Sequence, residues 1–265
     1  MDLGDLTLRD SIAFERPPVV RAEYVLRFRP SERLKLVHVG GVLSMWAESF
    51  TIISEMAPDL PDNAPVRFEV GEANWPLPRV AMSAPDDTTL TFTGQSLSLS
   101  WAFDLEGERP YPGFKTLSEM LQARYDELEE SLAATGVSLE CVATSISYTN
   151  QLANQSPAAV AIGIATAWSS SPDEGALAGL ADYVGLRIAI DPKQETSHSF
   201  ILVGVDPGQD SANSMLQITV ERHNNEEVGV MERRDLLGLV HQQLINVFYA
   251  ASNVGLRDSW GEVTA

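Results

Sequence analysis

The chain has 265 residues, 44% hydrophobic and 21% charged, which is long enough for two domains and apolar enough to fold without help. Its 18 basic and 37 acidic residues leave a formal charge of −19, which disfavours direct nucleic-acid binding, since that affinity rests largely on Lys and Arg neutralising phosphates. A single cysteine, Cys141, excludes an internal disulfide and fits a reducing compartment.

Met1 to Arg16 carries Asp2, Asp5 and Asp10 and no apolar run, which argues against a signal peptide or membrane anchor and for a cytoplasmic protein. Val20, Ala22, Tyr24, Leu26 and Phe28 then alternate with polar residues, the period of a strand with one wet face. A loop at Arg29-Pro30-Ser31 and the pair Gly40-Gly41 follow. Val42, Trp46, Phe50 and Ile53 recur at helical spacing, and Pro58 and Pro61 close that helix.

Strands are predicted over residues 66–70 and 79–83. Asp86-Asp87 makes a polar turn into a strand at 89–93, and Gly94 leads into another over 97–105, where Leu97, Leu99, Trp101, Phe103 and Leu105 alternate with Ser98, Ser100, Ala102 and Asp104. Thr116-Leu117-Ser118-Glu119 has the spacing of a capping box. Leu117, Leu121, Leu128 and Leu132 mark one face of a long helix ending at Gly136.

The second half has the same order. Residues 139–148 and 160–168 read as strands, the latter almost continuously apolar. Ser171-Pro172-Asp173-Glu174 opens a short helix to about Tyr183, and strands follow at 186–190, 199–205 and 215–220. Gly204-Val205-Asp206-Pro207-Gly208 carries turn chemistry between two of them. Leu236, Leu237, Val240, Leu244, Val247, Phe248 and Ala251 form the apolar face of a last helix ending near Asn253.

These elements predict an α+β chain of two tandem antiparallel-sheet units, each β-α-β(3-4)-α with a long closing helix. Residues 1–16 form an N-terminal extension, 17–136 the first half and 137–265 the second, packed as one unit. The order resembles the helix-grip topology of TATA-binding-protein-like folds. The DNA-binding use of that fold is opposed by the charge, which is shared evenly: 12 basic and 22 acidic residues through Gly136, 6 and 15 after it.

Four stretches carry a further resemblance. They are Arg27-Phe28-Arg29-Pro30, the Trp101 strand leading to Tyr111-Pro112-Gly113-Phe114, Ser147-Tyr148-Thr149-Asn150, and His241 to Phe248 followed by Trp260-Gly261. Together they resemble a sporadically distributed bacterial family of uncharacterised proteins of about this length. The resemblance implies a whole-chain unit of an accessory locus of the toxin, immunity or phage-defence kind. Ser147 stands where that pattern has an arginine, so a role resting on that charge is not carried over.

No catalytic, cofactor-binding or metal-ligating residue is assigned from the sequence, and no cofactor. His38, His198, His223 and His241 are scattered, without the i, i+4 spacing of a helical zinc site. Arg234 and His241 match a loose Arg-x6-His spacing used by some all-helical ribonucleases, but this chain is rich in strands. Cys141 sits among apolar neighbours as a buried structural thiol, and Gly40-Gly41 lacks the context of a phosphate loop. Asp206, Asp210, Glu226 and Glu227 follow no EF-hand pattern, and the five tryptophans read as core.

The resulting expectation is a non-catalytic protein-binding or assembly module with a protein partner of basic surface, and with no direct nucleic acid and no membrane. The alternative is a small-molecule-binding or enzymatic helix-grip protein with a cavity beneath the long helix.

Overall fold

The computed structural model describes residues 12–14, 17–29, 34–58, 77–103, 110–153, 184–189, 199–207, 213–224, 231–251, 257 and 260–264. It is an α+β architecture of two compact units. One, here the flanking unit, draws its described residues from Met1–Glu23, Arg109–Tyr111 and Thr144–Ala265; the other, the inserted unit, draws them from Tyr24–Glu108 and Pro112–Ala143. The expected strands at 66–70 and 160–168, the helix after Ser171, and Trp75, Trp168, His198, Asp210, Glu226 and Glu227 lie outside the described residues.

The inserted unit starts within β2 (Val19–Phe28) and continues through α1 (Leu36–Trp46), β3 (Ile52–Met56), β4 (Arg79–Ser83), β5 (Thr88–Phe92), β6 (Ser96–Ala102) and α2 (Phe114–Ala133). Its strand order is β3-β4-β5-β6-β2. The pairs β3/β4, β4/β5 and β5/β6 are antiparallel, with Ile52 opposite Ser83, Val80 opposite Phe92 and Leu90 opposite Leu99. Period-two alternation sets this register: Tyr24, Leu26, Phe28, Leu90, Phe92, Leu97, Leu99 and Trp101 all point inward and are buried. Phe28 stacks on Phe92 with ring centroids 6.4 Å apart.

The two tight turns follow local chemistry. Asp87 takes a left-handed φ of 65°, a conformation aspartate tolerates, while the Asp86 carboxylate accepts the Thr88 backbone N–H at 3.2 Å. At the β5–β6 turn, Thr93 N–H donates to Ser96 O at 2.9 Å and Gln95 N–H to Thr93 Oγ1 at 3.1 Å.

Helix α2 lies over β6, with Leu117, Leu121, Tyr125, Leu128 and Leu132 fully buried beneath it. Each such side chain contributes roughly 1.5–3 kcal/mol relative to exposure. The helix begins three residues earlier than the capping-box reading of Thr116. Gly113, at φ 90°, is the N-cap, and the Pro112-Gly113 bend starts the first turn and leaves Thr116 inside it. At the other end Gly136 takes φ 71°, and Val137 N–H reaches back to Leu132 O at 3.3 Å. Gly136→Ala, which forces a Cβ into this left-handed position, is expected to lower stability by about 1 kcal/mol in urea melts. An unchanged midpoint would show that the glycine's conformation is not needed.

Helix α1 corrects the reading of residues 40–53. Gly40 and Gly41 lie mid-helix and not before it; the helix ends at Trp46; Phe50 follows a turn closed by its N–H to Trp46 O at 3.0 Å; and Ile53 belongs to β3. The i, i+4, i+8 recurrence of Val42, Trp46 and Phe50 comes from a helix and the turn after it, all facing one core.

The flanking unit holds β7 (Cys141–Ala153, from Thr144 onward), β8 (Val184–Ala189), β9 (Ser199–Pro207), β10 (Asn213–His223) and α3 (Arg233–Ala251), in strand order β7-β10-β9-β8. It also holds β1 (Ile12–Phe14), antiparallel to β11 (Glu262–Thr264). The Gly204 to Pro207 segment is the end of β9 and not a turn. Gly204, Val205, Asp206 and Pro207 pair with Gln217, Leu216, Met215 and Ser214. Proline is tolerated there because it closes the strand, where a missing N–H costs little. Helix α3 covers β10 with Leu236, Leu237, Val240, Leu244, Val247 and Phe248 buried, and Phe248 stacks on Trp260 at 5.1 Å.

Candidate functional site

The described residues singled out for chemistry are dispersed or engaged structurally. His38 Nδ1 accepts the Lys35 backbone N–H at 3.3 Å at the start of α1. His223 Nε2 lies 3.1 Å from Glu221 Oε1. Cys141 is part-exposed at the start of β7 and not the buried thiol expected, its Sγ 3.6 Å from Ala143 O. Arg234 is exposed, and its seven-residue separation from His241 is about 10 Å along the α3 axis. Among the described residues no three His, Cys, Asp or Glu side chains gather to hold a metal.

Three of the four stretches quoted above do converge, in the flanking unit. The Tyr111 and Tyr148 hydroxyls are 2.7 Å apart, and the Tyr148 ring meets His241 edge-on at 6.0 Å. Burial lowers the His241 pKa from 6.5 to about 4, so its imidazole is neutral at physiological pH. A general acid or base works best with a pKa near the operating pH, and a group at 4 is far from it. The cluster's chemistry is that of a hydrogen-bonded aromatic core. Ser147 Oγ accepts from Thr219 Oγ1 at 2.8 Å and Gln217 Nε2 at 3.1 Å, tying β7 to β10.

The surface of the inserted unit is of a different kind. Helix α1 reads LVHVGGVLSMW, with no acidic or permanently charged side chain in eleven residues. Val39, Val42 and Trp46 make its buried face. Apolar side chains also reach solvent: Val37, 80% exposed, and Met45, 43%, on one side of the helix, and Leu36, 52%, on another. A helix that is hydrophobic all round normally has both faces covered. Adjacent β3 is exposed at every residue, including Ile52, Ile53 and Met56.

Between α1 and α2 lies an open groove of about 260 Å³, lined by Gly41, Val42, Met45, Glu127, Glu130 and Ser131. A network fixes its walls. Trp46 Nε1 donates to Glu127 Oε2 at 2.6 Å, and Arg124 Nη1 donates to Glu127 Oε1 and Oε2 at 3.0 and 2.8 Å. The Arg124 guanidinium sits 5.9 Å from the centroid of the buried Phe50 ring. The same carboxylate therefore anchors both helices. Glu130 is exposed and forms no ion pair among the described residues.

Comparison with protein-family models, curated proteins and solved structures returned no match. The site therefore rests on its own geometry. Its sequence signal was present in α1, whose solvent-facing half is uncharged in a chain that is 21% charged. Reading Gly40-Gly41 as a helix break concealed it. Among the described residues no helix is long and apolar enough to cross a membrane.

Proposed function

We propose that the chain is a non-catalytic protein-binding or assembly module of a bacterial accessory system, of the antitoxin, immunity or phage-defence kind, acting in the cytoplasm. In this reading each half is a helix-grip unit, and α1 with the α1–α2 groove is the docking surface. The observation that carries it is the uncharged, apolar outer face of α1 beside the α2 carboxylates. Exposed apolar side chains that cluster, such as Val37 and Met45 on one side of a helix, mark interaction sites more often than singly scattered ones do.

Gly40 and Gly41 support it. A Cβ at either position would meet nothing within 4 Å, so the fold itself gives no steric reason for glycine. Each costs about 1 kcal/mol relative to alanine in a helix interior. Gly40→Ala and Gly41→Ala are accordingly expected to raise the unfolding free energy by about 0.5–1 kcal/mol each in urea melts; destabilisation would show that the bare backbone serves the chain's own packing.

The test of the function is recovery from the native host with wild type and a Val37→Asp variant, whose substitution is at an exposed position. One protein retained by wild type and lost by the variant is the expected result. Consistent recovery of no protein, or of the same proteins by both forms, would overturn the reading.

A further inference from the structure

We infer that the α1–α2 groove takes a short amphipathic helix with basic flanks. This deepens the docking reading above and rests on it. Three features define the occupant.

The first is length. Helix α1 has eleven residues, about 16 Å of axis, so a partner helix of three turns spans it. The second is approach. At Gly41 and Gly40 nothing projects from the helix, and the surrounding space is open, so a second helix can come near the short end of the ~8–10 Å interaxial range. Val37 and Met45 stand one turn before and one turn after Gly41, a pair of exposed apolar contacts for an i, i+4, i+7 stripe.

The third is charge. Glu127 is shared between Arg124 and Trp46, whereas Glu130, on the same wall, has no cation partner among the described residues. A lysine or arginine one turn from the partner's apolar stripe supplies that cation, its alkyl stem lying along Val42 and Met45. The chain's own charge of −19 works against a second copy in the same place and speeds the encounter with a basic one.

The experiment uses the full chain and three synthetic 14-residue peptides: an amphipathic Lys/Leu helix, a scrambled Lys/Leu peptide of equal composition, and an amphipathic Glu/Leu helix. Binding is read by fluorescence anisotropy at two salt concentrations. The amphipathic Lys/Leu peptide is expected to bind at least tenfold tighter than either control. Gly41→Gln, which fills the groove with an uncharged side chain, is expected to weaken that binding at least tenfold. Glu130→Lys should weaken it severalfold and flatten its salt dependence. Thermal melts establish that both variants are folded.

Equal binding of the scrambled peptide, or binding indifferent to both substitutions, would overturn the inference, since attraction to general acidity predicts both. Concentration-dependent dimerisation by sedimentation, abolished by Gly41→Gln, would overturn it in favour of a second copy. The docking reading itself is tested by recovery from the host and fails if no protein is recovered or if Val37→Asp leaves recovery unchanged, neither of which the peptide result decides, so the two failures are separable.

Discussion

Trp46→Ala is expected to cost about 4 kcal/mol of stability in the unit that carries α1 and α2. Trp46 is fully buried, and truncating a buried tryptophan to alanine typically removes 3–5 kcal/mol through lost transfer energy and an unfilled cavity. Its indole N–H also donates to Glu127 at 2.6 Å, so the truncation withdraws a donor from a half-buried carboxylate. Arg124 still holds that carboxylate, which limits the second penalty. Trp46→Phe separates the two: it keeps most of the volume, removes the donor, and is expected to cost about 2 kcal/mol, the range for a hydrogen bond to a charged group. Urea unfolding with an unchanged slope is the measurement. A cost below about 0.5 kcal/mol for the phenylalanine variant would show that the indole–carboxylate bond does not tie α1 to α2.

The second large effect is a pH dependence centred on His241. Its folded-state pKa is lowered by burial to about 4, against 6.5 in an unfolded chain. Above pH 6.5 the imidazole is neutral in both states and contributes no slope. As pH falls from 6.5 to 4 the unfolded chain takes up a proton that the folded chain refuses, so stability is lost over that window, by about 3 kcal/mol in all. Below pH 4 both states are protonated and the loss levels off. The chain's many carboxylates titrate nearby, so the quantity to measure is the difference in unfolding free energy between wild type and His241→Gln at each pH. That difference should be flat above pH 7 and shift against wild type between 6.5 and 4; a constant difference would mean that His241 is solvated when folded.

Strands were legible in the sequence where one face is wet. The alternation of Ala22, Tyr24, Leu26 and Phe28, of Leu97, Leu99 and Trp101, and of Leu216, Ile218 and Val220 reports burial directly, and these residues are buried. Helix α2 was legible for the same reason at period 3.6. Helix α1 was not, because a helix apolar on both faces has no phase from which to read its limits, and two mid-helix glycines mimic a break. The start of α2 was displaced because Thr-x-x-Glu spacing also occurs inside a first turn, whereas the Gly113 conformation that starts the helix leaves no spacing signal. The tyrosine–histidine cluster was invisible as a cluster. Tyr111 and Tyr148 are 37 residues apart in sequence, and only the packing of α3 and β7 brings His241 to them.

The interruption of one unit by the other in the chain also sets an order of synthesis. The inserted unit is complete once residue 143 has left the ribosome, whereas the flanking unit waits for β10, α3 and β11 near the end of the chain. Domains fold as units during elongation at roughly 5–20 residues per second, so the unit carrying the α1 face has several seconds as a separate nascent body before β10 is made. During that interval the uncharged helix face, the bare glycines and the exposed β3 edge are already formed and open. A partner or a chaperone that recognises this surface can engage it on the nascent chain. The net charge of −19 works against self-association of such chains.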